Sequence, residues 1–95
     1  MEKTTYHELI EQIIQKQASV IGLQVAIRRA RKVPNLEVDD QGVVTSLPQN
    51  VIPILEGLTE QYKALSGSMG VDFCKQAAAI VRQAHPDLLL PTILS

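Results

Sequence analysis

YHELIEQIIQKQASVIGLQVAIRRARK, residues 6–32, is the stretch on which the rest of the chain hangs. Apolar residues recur at Leu9, Ile10, Ile13, Ile14, Ala18, Ile21 and Val25, with a second row at Val20, Leu23, Ala26, Ile27 and Ala30. Spacings of three and four place each row along one side of an α-helix. Thr4 or Thr5 can cap its start, and Thr5 followed by Glu8 has the spacing of a capping box. Glu8 and Glu11 near the start and Arg28, Arg29, Arg31 and Lys32 at the end both suit the helix dipole.

Such a helix would be about 40 Å long at 1.5 Å per residue. A 95-residue chain should have a radius of gyration near 12–13 Å. The helix must therefore overhang a single core, break, or meet a second copy. Beyond Ala18 its apolar surface widens, which places the centre of the core around residues 20–27. Gly22 in that region marks either a kink or a point of close helix approach.

Pro34 biases Val33 out of the helical region and ends the helix. Residues 36–45 then alternate apolar and polar positions around a turn ending in Gly42, the pattern of a short β-hairpin. Leu36, Val38 and one of Val43 or Val44 are expected to pack on the helices. A second helix follows over residues 51–66, with Asn50 as N-cap and Pro53 in the first turn. Residues 66–70 read as a turn, and a third helix as running from 71 to 84 until His85-Pro86 stops it. Phe73, Cys74, Ala77, Ala78, Ile80, Val81 and Ala84 form its apolar face. Leu88, Leu89, Leu90, Ile93 and Leu94 crowd the last segment. Burying a large aliphatic side chain is worth roughly 1.5–3 kcal/mol, so this tail should dock on its own core or in a partner's groove.

The fold class expected is mainly α: one domain over residues 1–95 with a long N-terminal helix, a short β-hairpin, an α-helical hairpin and an apolar tail. A helical-bundle dimer is the expected assembly. The net charge of −1 demands no polyanionic partner. The first residues lack the apolar core of a signal peptide, and no apolar run approaches the roughly 18 residues of a membrane span. A cytoplasmic location is the default expectation.

Candidate chemistry is sparse. Glu37, Asp39, Gln41 and Gly42 mimic the start of a calcium-binding EF-hand loop, but the position that needs glutamate is Pro48. Cys74 and His85 share a helix side yet lie three turns apart, about 16 Å, where proton transfer needs about 3 Å. Cys74 reads as a buried structural thiol, His85 as a helix end and His7 as a solvated first-turn residue. Gly67-Ser68-Met69-Gly70 lacks the lysine and hydroxyl pair of a phosphate-binding loop. One cysteine and two histidines make no zinc site. No catalytic residue, cofactor or metal is assigned.

The basic end of the first helix carries four positive charges, and Glu37, Asp39 and Asp40 follow at once. Charge compensation across the turn is the leading reading, an acidic protein partner the next, and nucleic acid the third. The function expected is a non-enzymatic protein-interaction or regulatory module that forms a homodimer through helix 1. The alternatives are nucleic-acid association through the basic end and a small-ligand site between helices. The expected interaction residues are Leu9, Ile13, Val20, Arg28, Arg29, Arg31, Lys32, Leu89, Leu90 and Leu94.

Overall fold

Gly22 settles the problem of the first helix. In the computed structural model, which describes residues 4–94, its backbone adopts φ +90° and ψ 149°. That conformation is essentially reserved for glycine, and the helix breaks there. Helix α1 spans Thr5–Ile21 and α2 spans Leu23–Ala30. The hinge costs little hydrogen bonding, because Gly22 N–H still donates to Ala18 O (3.0 Å) and Gly22 O accepts from Ala26 N–H (3.1 Å). Of the options the sequence left open the break is the one taken: a long N-terminal helix of 17 residues is followed by a short one of 8. At about 26 Å, α1 fits within principal extents of 30 × 27 × 20 Å. The radius of gyration is 11.8 Å.

Of the two threonines able to cap α1, the first does so, and the capping box differs from the expected pairing of Thr5 with Glu8. Thr4 is the N-cap, and the third helical position is His7 rather than Glu8. The Thr4 hydroxyl accepts from His7 N–H (3.3 Å), while Thr4 N–H donates to His7 Nδ1 (3.1 Å). This is a capping box with an imidazole in the place usually held by Glu or Gln. His7 is therefore buried, not solvated.

After α2 the chain turns through Pro34 and Asn35 (φ +68°) into the hairpin. Strands β1 (Glu37–Val38) and β2 (Val44–Ser46) pair antiparallel with one irregularity in register. Asp39 organises the turn: its Oδ1 accepts from the N–H groups of Gln41 and Val43, both at 2.9 Å. Glu11 on α1 accepts from Val44 N–H (2.9 Å) and ties the hairpin to the helix. Leu36, Val38 and Val44 are buried beneath it, and Val43 is half-buried.

Helix α3 (Ile52–Ser66) and helix α4 (Ser68–Ala84) form the α-hairpin. The N-cap of α3 is Val51, without a side-chain cap, in place of the expected Asn50. The anticipated five-residue turn shrinks to Gly67 alone, at φ +62° and ψ −141°, so α4 begins three residues early. Gly70 explains the tight junction, since a Cβ there would strike the backbone carbonyl of Tyr62. Gly57 likewise leaves room for Val33, whose Cγ1 would stand 3.2 Å from a Cβ.

Helix α1 packs on α2 and α4, and α3 packs on α4 and α2. The core is centred on Leu9, Ile10, Ile13 and Ile14, facing Leu55, Leu58, Tyr62, Cys74, Ala77 and Val81. It thus lies nearer the start of α1 than the span of residues 20–27 suggested by sequence. The tail docks on its own core: Leu88 and Leu94 are buried, and Tyr6 Oη–H donates to Leu89 O (2.9 Å). A short 3-10 turn at Thr92–Leu94 closes it against α4.

Candidate functional site

Two buried polar side chains fix the geometry of one end of the bundle. Gln17, late in α1, donates from Nε2 to Gly70 O (2.9 Å) and lies 3.7 Å from Cys74 Sγ, both early in α4. At the other end of the same pair, Glu8 Oε2 lies 3.6 Å from His85 Nε2. Helices α1 and α4 are therefore antiparallel. Tyr62, late in α3, donates from its hydroxyl to Ala26 O of α2 (2.8 Å). The α1–α2 junction at Gly22 and the α3–α4 junction at Gly67 thus share one end of the molecule.

Large apolar side chains are left in solvent at that end. Val20 is 51% exposed and Met69 55%, with Leu23 and Leu65 also exposed. A Cβ at Gly22 or Gly67 would meet no atom within 4 Å, so both junctions stand clear of the core. Val20 and Leu23 lie within two residues of Gly22, and Leu65 and Met69 within two of Gly67.

The expected interaction residues separate into groups. Leu9 and Ile13 are fully buried in the protein's own core, and Leu94 of the tail is buried against that core. Their side chains are already covered in cis, which leaves no surface for a partner. Leu90 is half-buried, beside Leu94 and the α4 residues Lys75, Ala79 and Arg82. Val20 and Leu89 remain outward, Leu89 at 73% exposure. Arg31 is engaged: its guanidinium donates to Val38 O (3.2 Å from Nη2) and to Asp40 Oδ1 (2.9 Å). Charge compensation across the turn is thereby realised at one of four basic residues. Arg28 and Lys32 are exposed and Arg29 half-buried, with no carboxylate in ion-pair range among the described residues. Gln24, Ile27, Arg28, Arg31 and Asp40 border a shallow depression of about 460 Å³.

Cys74 is enclosed by Gln17 and Thr59, while His85 faces Glu8 at the far end of α4. Burial pushes the Cys74 thiol up to about 11, against the lowering pull of hydrogen bonds from Thr59 and Gln17. A neutral thiol so placed is a packing group, because the thiolate is the nucleophile. Asp39 spends its carboxylate on the turn N–H groups, not on a cation. Among the described residues no three His, Cys, Asp or Glu side chains gather as metal ligands would. No described helix is long and apolar enough to cross a membrane.

Sequence reasoning missed Gln17 and His7. Gln17 continues the row Ile10, Ile13, Ile14, so its helical position already announced burial. The spacing from Thr4 to His7 equals that from Thr5 to Glu8, and only the residue type at position 7 concealed the cap. Comparisons with protein-family models, with curated proteins and with solved structures find no match to this chain.

Proposed function

We infer that this domain is a non-catalytic protein-interaction module that self-associates through the end of the bundle where Val20, Leu23, Leu65 and Met69 lie exposed. The observation that carries the reading is the contrast between that end and the core. In α1 Leu9, Ile10, Ile13 and Ile14 are fully buried and Tyr6, Ala18 and Ile21 partly so, whereas these four flank two glycine hinges and face water. A cluster of exposed apolar side chains on a small domain marks an interaction surface. Methionine suits such a surface, since its flexible thioether adapts to the facing group. A two-fold contact is the simplest closed assembly, because one patch then serves both copies.

This surface keeps helix 1 as the contact element but moves the contact from its middle to its C-terminal end. Methyl NMR tests the placement. On raising the protein concentration, the methyl signals of Val20, Leu23, Leu65 and Met69 should shift together, while those of Leu9 and Ile13 stay fixed. Concentration-dependent shifts confined to Leu89 and Leu90 would place the contact on the tail instead.

A second reading, recognition of an acidic protein segment, draws support from Arg28, Arg29 and Lys32, which have no ion-pair partner among the described residues, while Arg31 is tied to Asp40. Charge reversal at Arg28 and Lys32 should then abolish binding of an acidic peptide. Equal binding of duplex DNA by the parent protein at low salt would favour nucleic acid over protein.

A further inference from the structure

We propose, resting on the acidic-segment reading, that Asp40 is an internal stand-in for a peptide carboxylate: an acidic segment binds the depression beside α2 by taking Asp40's place on Arg31. Gln24, Arg28 and Arg31 follow one another at intervals of four and three, so they share one side of α2 and its C-cap. All three border the depression of about 460 Å³, with Ile27 and Asp40 completing its lining. Arg28 has no carboxylate in ion-pair range among the described residues. The depression thus sets two guanidinium groups against one carboxylate.

The contact between Asp40 and Arg31 is built to be exchanged. The Arg31 guanidinium is oriented by main chain, since its Nε and Nη2 donate to Val38 O of β1 (3.4 and 3.2 Å). It therefore keeps its direction when Asp40 leaves. The Asp40 side chain is 88% exposed, and its Oδ1 accepts from Arg31 Nη2 at 2.9 Å. An ion pair this open is screened by water and salt and holds weakly. The turn that carries Asp40 does not depend on it. Asp39 Oδ1 accepts from the N–H groups of Gln41 and Val43, and Gln15 Nε2 donates to Gln41 O (3.3 Å). Asp40 can swing away while the hairpin stays in place.

A segment bearing two or more acidic side chains can satisfy Arg28 and Arg31 together, each through charge-assisted hydrogen bonds to a carboxylate. Nucleic-acid binding draws on many phosphate contacts. Arg29 and Lys32 lie outside this lining, so the depression offers two cations, and the group already seated there is a side-chain carboxylate. Both facts favour an acidic peptide.

Fluorescence anisotropy of a labelled hexaglutamate peptide, titrated with the full chain at low salt, tests the proposal. The parent should bind weakly, and Asp40→Asn should bind about two- to fivefold more tightly, the gain from removing a weak internal competitor. Glu37→Gln removes the same charge from an exposed position of the same hairpin and should change the affinity less. Adding Arg31→Gln to Asp40→Asn should erase the gain. Equal gains in Asp40→Asn and Glu37→Gln, or a gain that survives the loss of Arg31, would overturn the proposal while binding by the parent left the acidic-segment reading standing. No binding by the parent or by Asp40→Asn would overturn both. Duplex DNA bound more tightly than the peptide would assign the surface to nucleic acid and overturn the proposal.

Discussion

Gln17 shows how much rests on single side chains in a core with so few aromatic groups. Its amide is buried, and its donation to Gly70 O joins α1 to the first turn of α4. Removing it strands a buried carbonyl and opens a void, so Gln17→Ala should cost about 2–4 kcal/mol in urea unfolding. Cys74 makes a second prediction at this scale, with its sign set by linkage. Burial pushes the folded thiol up to about 11 from an ordinary value of 9.0. As pH rises through that window the unfolded chain gives up a proton that the folded protein keeps, so stability falls between about pH 9 and 11 and is full below. The loss should amount to about 2–3 kcal/mol, and Cys74→Ala should flatten the profile there. Tyr62, buried and next to Cys74, is raised above its own ordinary range and acts in the same direction at higher pH.

At the scale of elements, glycine decides where helices stop. The apolar rows along residues 6–32 correctly announce a long N-terminal helix, a hairpin follows where the alternation says it should, and an α-hairpin completes the chain. The break at Gly22 was legible only as one of two options, because a helix-interior glycine accommodates either a kink or a neighbour. Gly70 takes the second option against Tyr62, and Gly22 the first. Nothing in the residue type separates them; the tertiary contacts do. The early start of α4 has the same origin: residues 66–70 look like a loop in isolation, yet one glycine at φ +62° suffices to reverse the chain. The tail's docking in cis was likewise one of two open options, since apolar content reports burial and not the identity of the covering surface. Gly22→Ala should cost about 1–2 kcal/mol in chemical unfolding although a Cβ there meets open space, because the penalty is conformational. An unchanged stability would mean that α1 and α2 interconvert with a straight helix at no cost.

At the scale of the molecule, the hinge at Gly22 alters the argument for a partner. An unbroken helix would have needed a second copy to cover its overhang; the folded-back α2 covers α1 from within, and the tail closes the groove over Tyr6 and α4. The end carrying Val20, Leu23, Leu65 and Met69 stays exposed, as do Ile80 on α4 and Leu89 in the tail, and the proposed self-association rests on that end. Light scattering coupled to gel filtration at tens of micromolar, run on the parent chain and on a Val20→Lys, Met69→Lys variant, tests it most directly. The account predicts twice the chain mass of 10.4 kDa for the parent and the single chain mass for the variant, with both folded by circular dichroism. A parent protein that elutes at the mass of one chain, or a variant that stays dimeric, would contradict it.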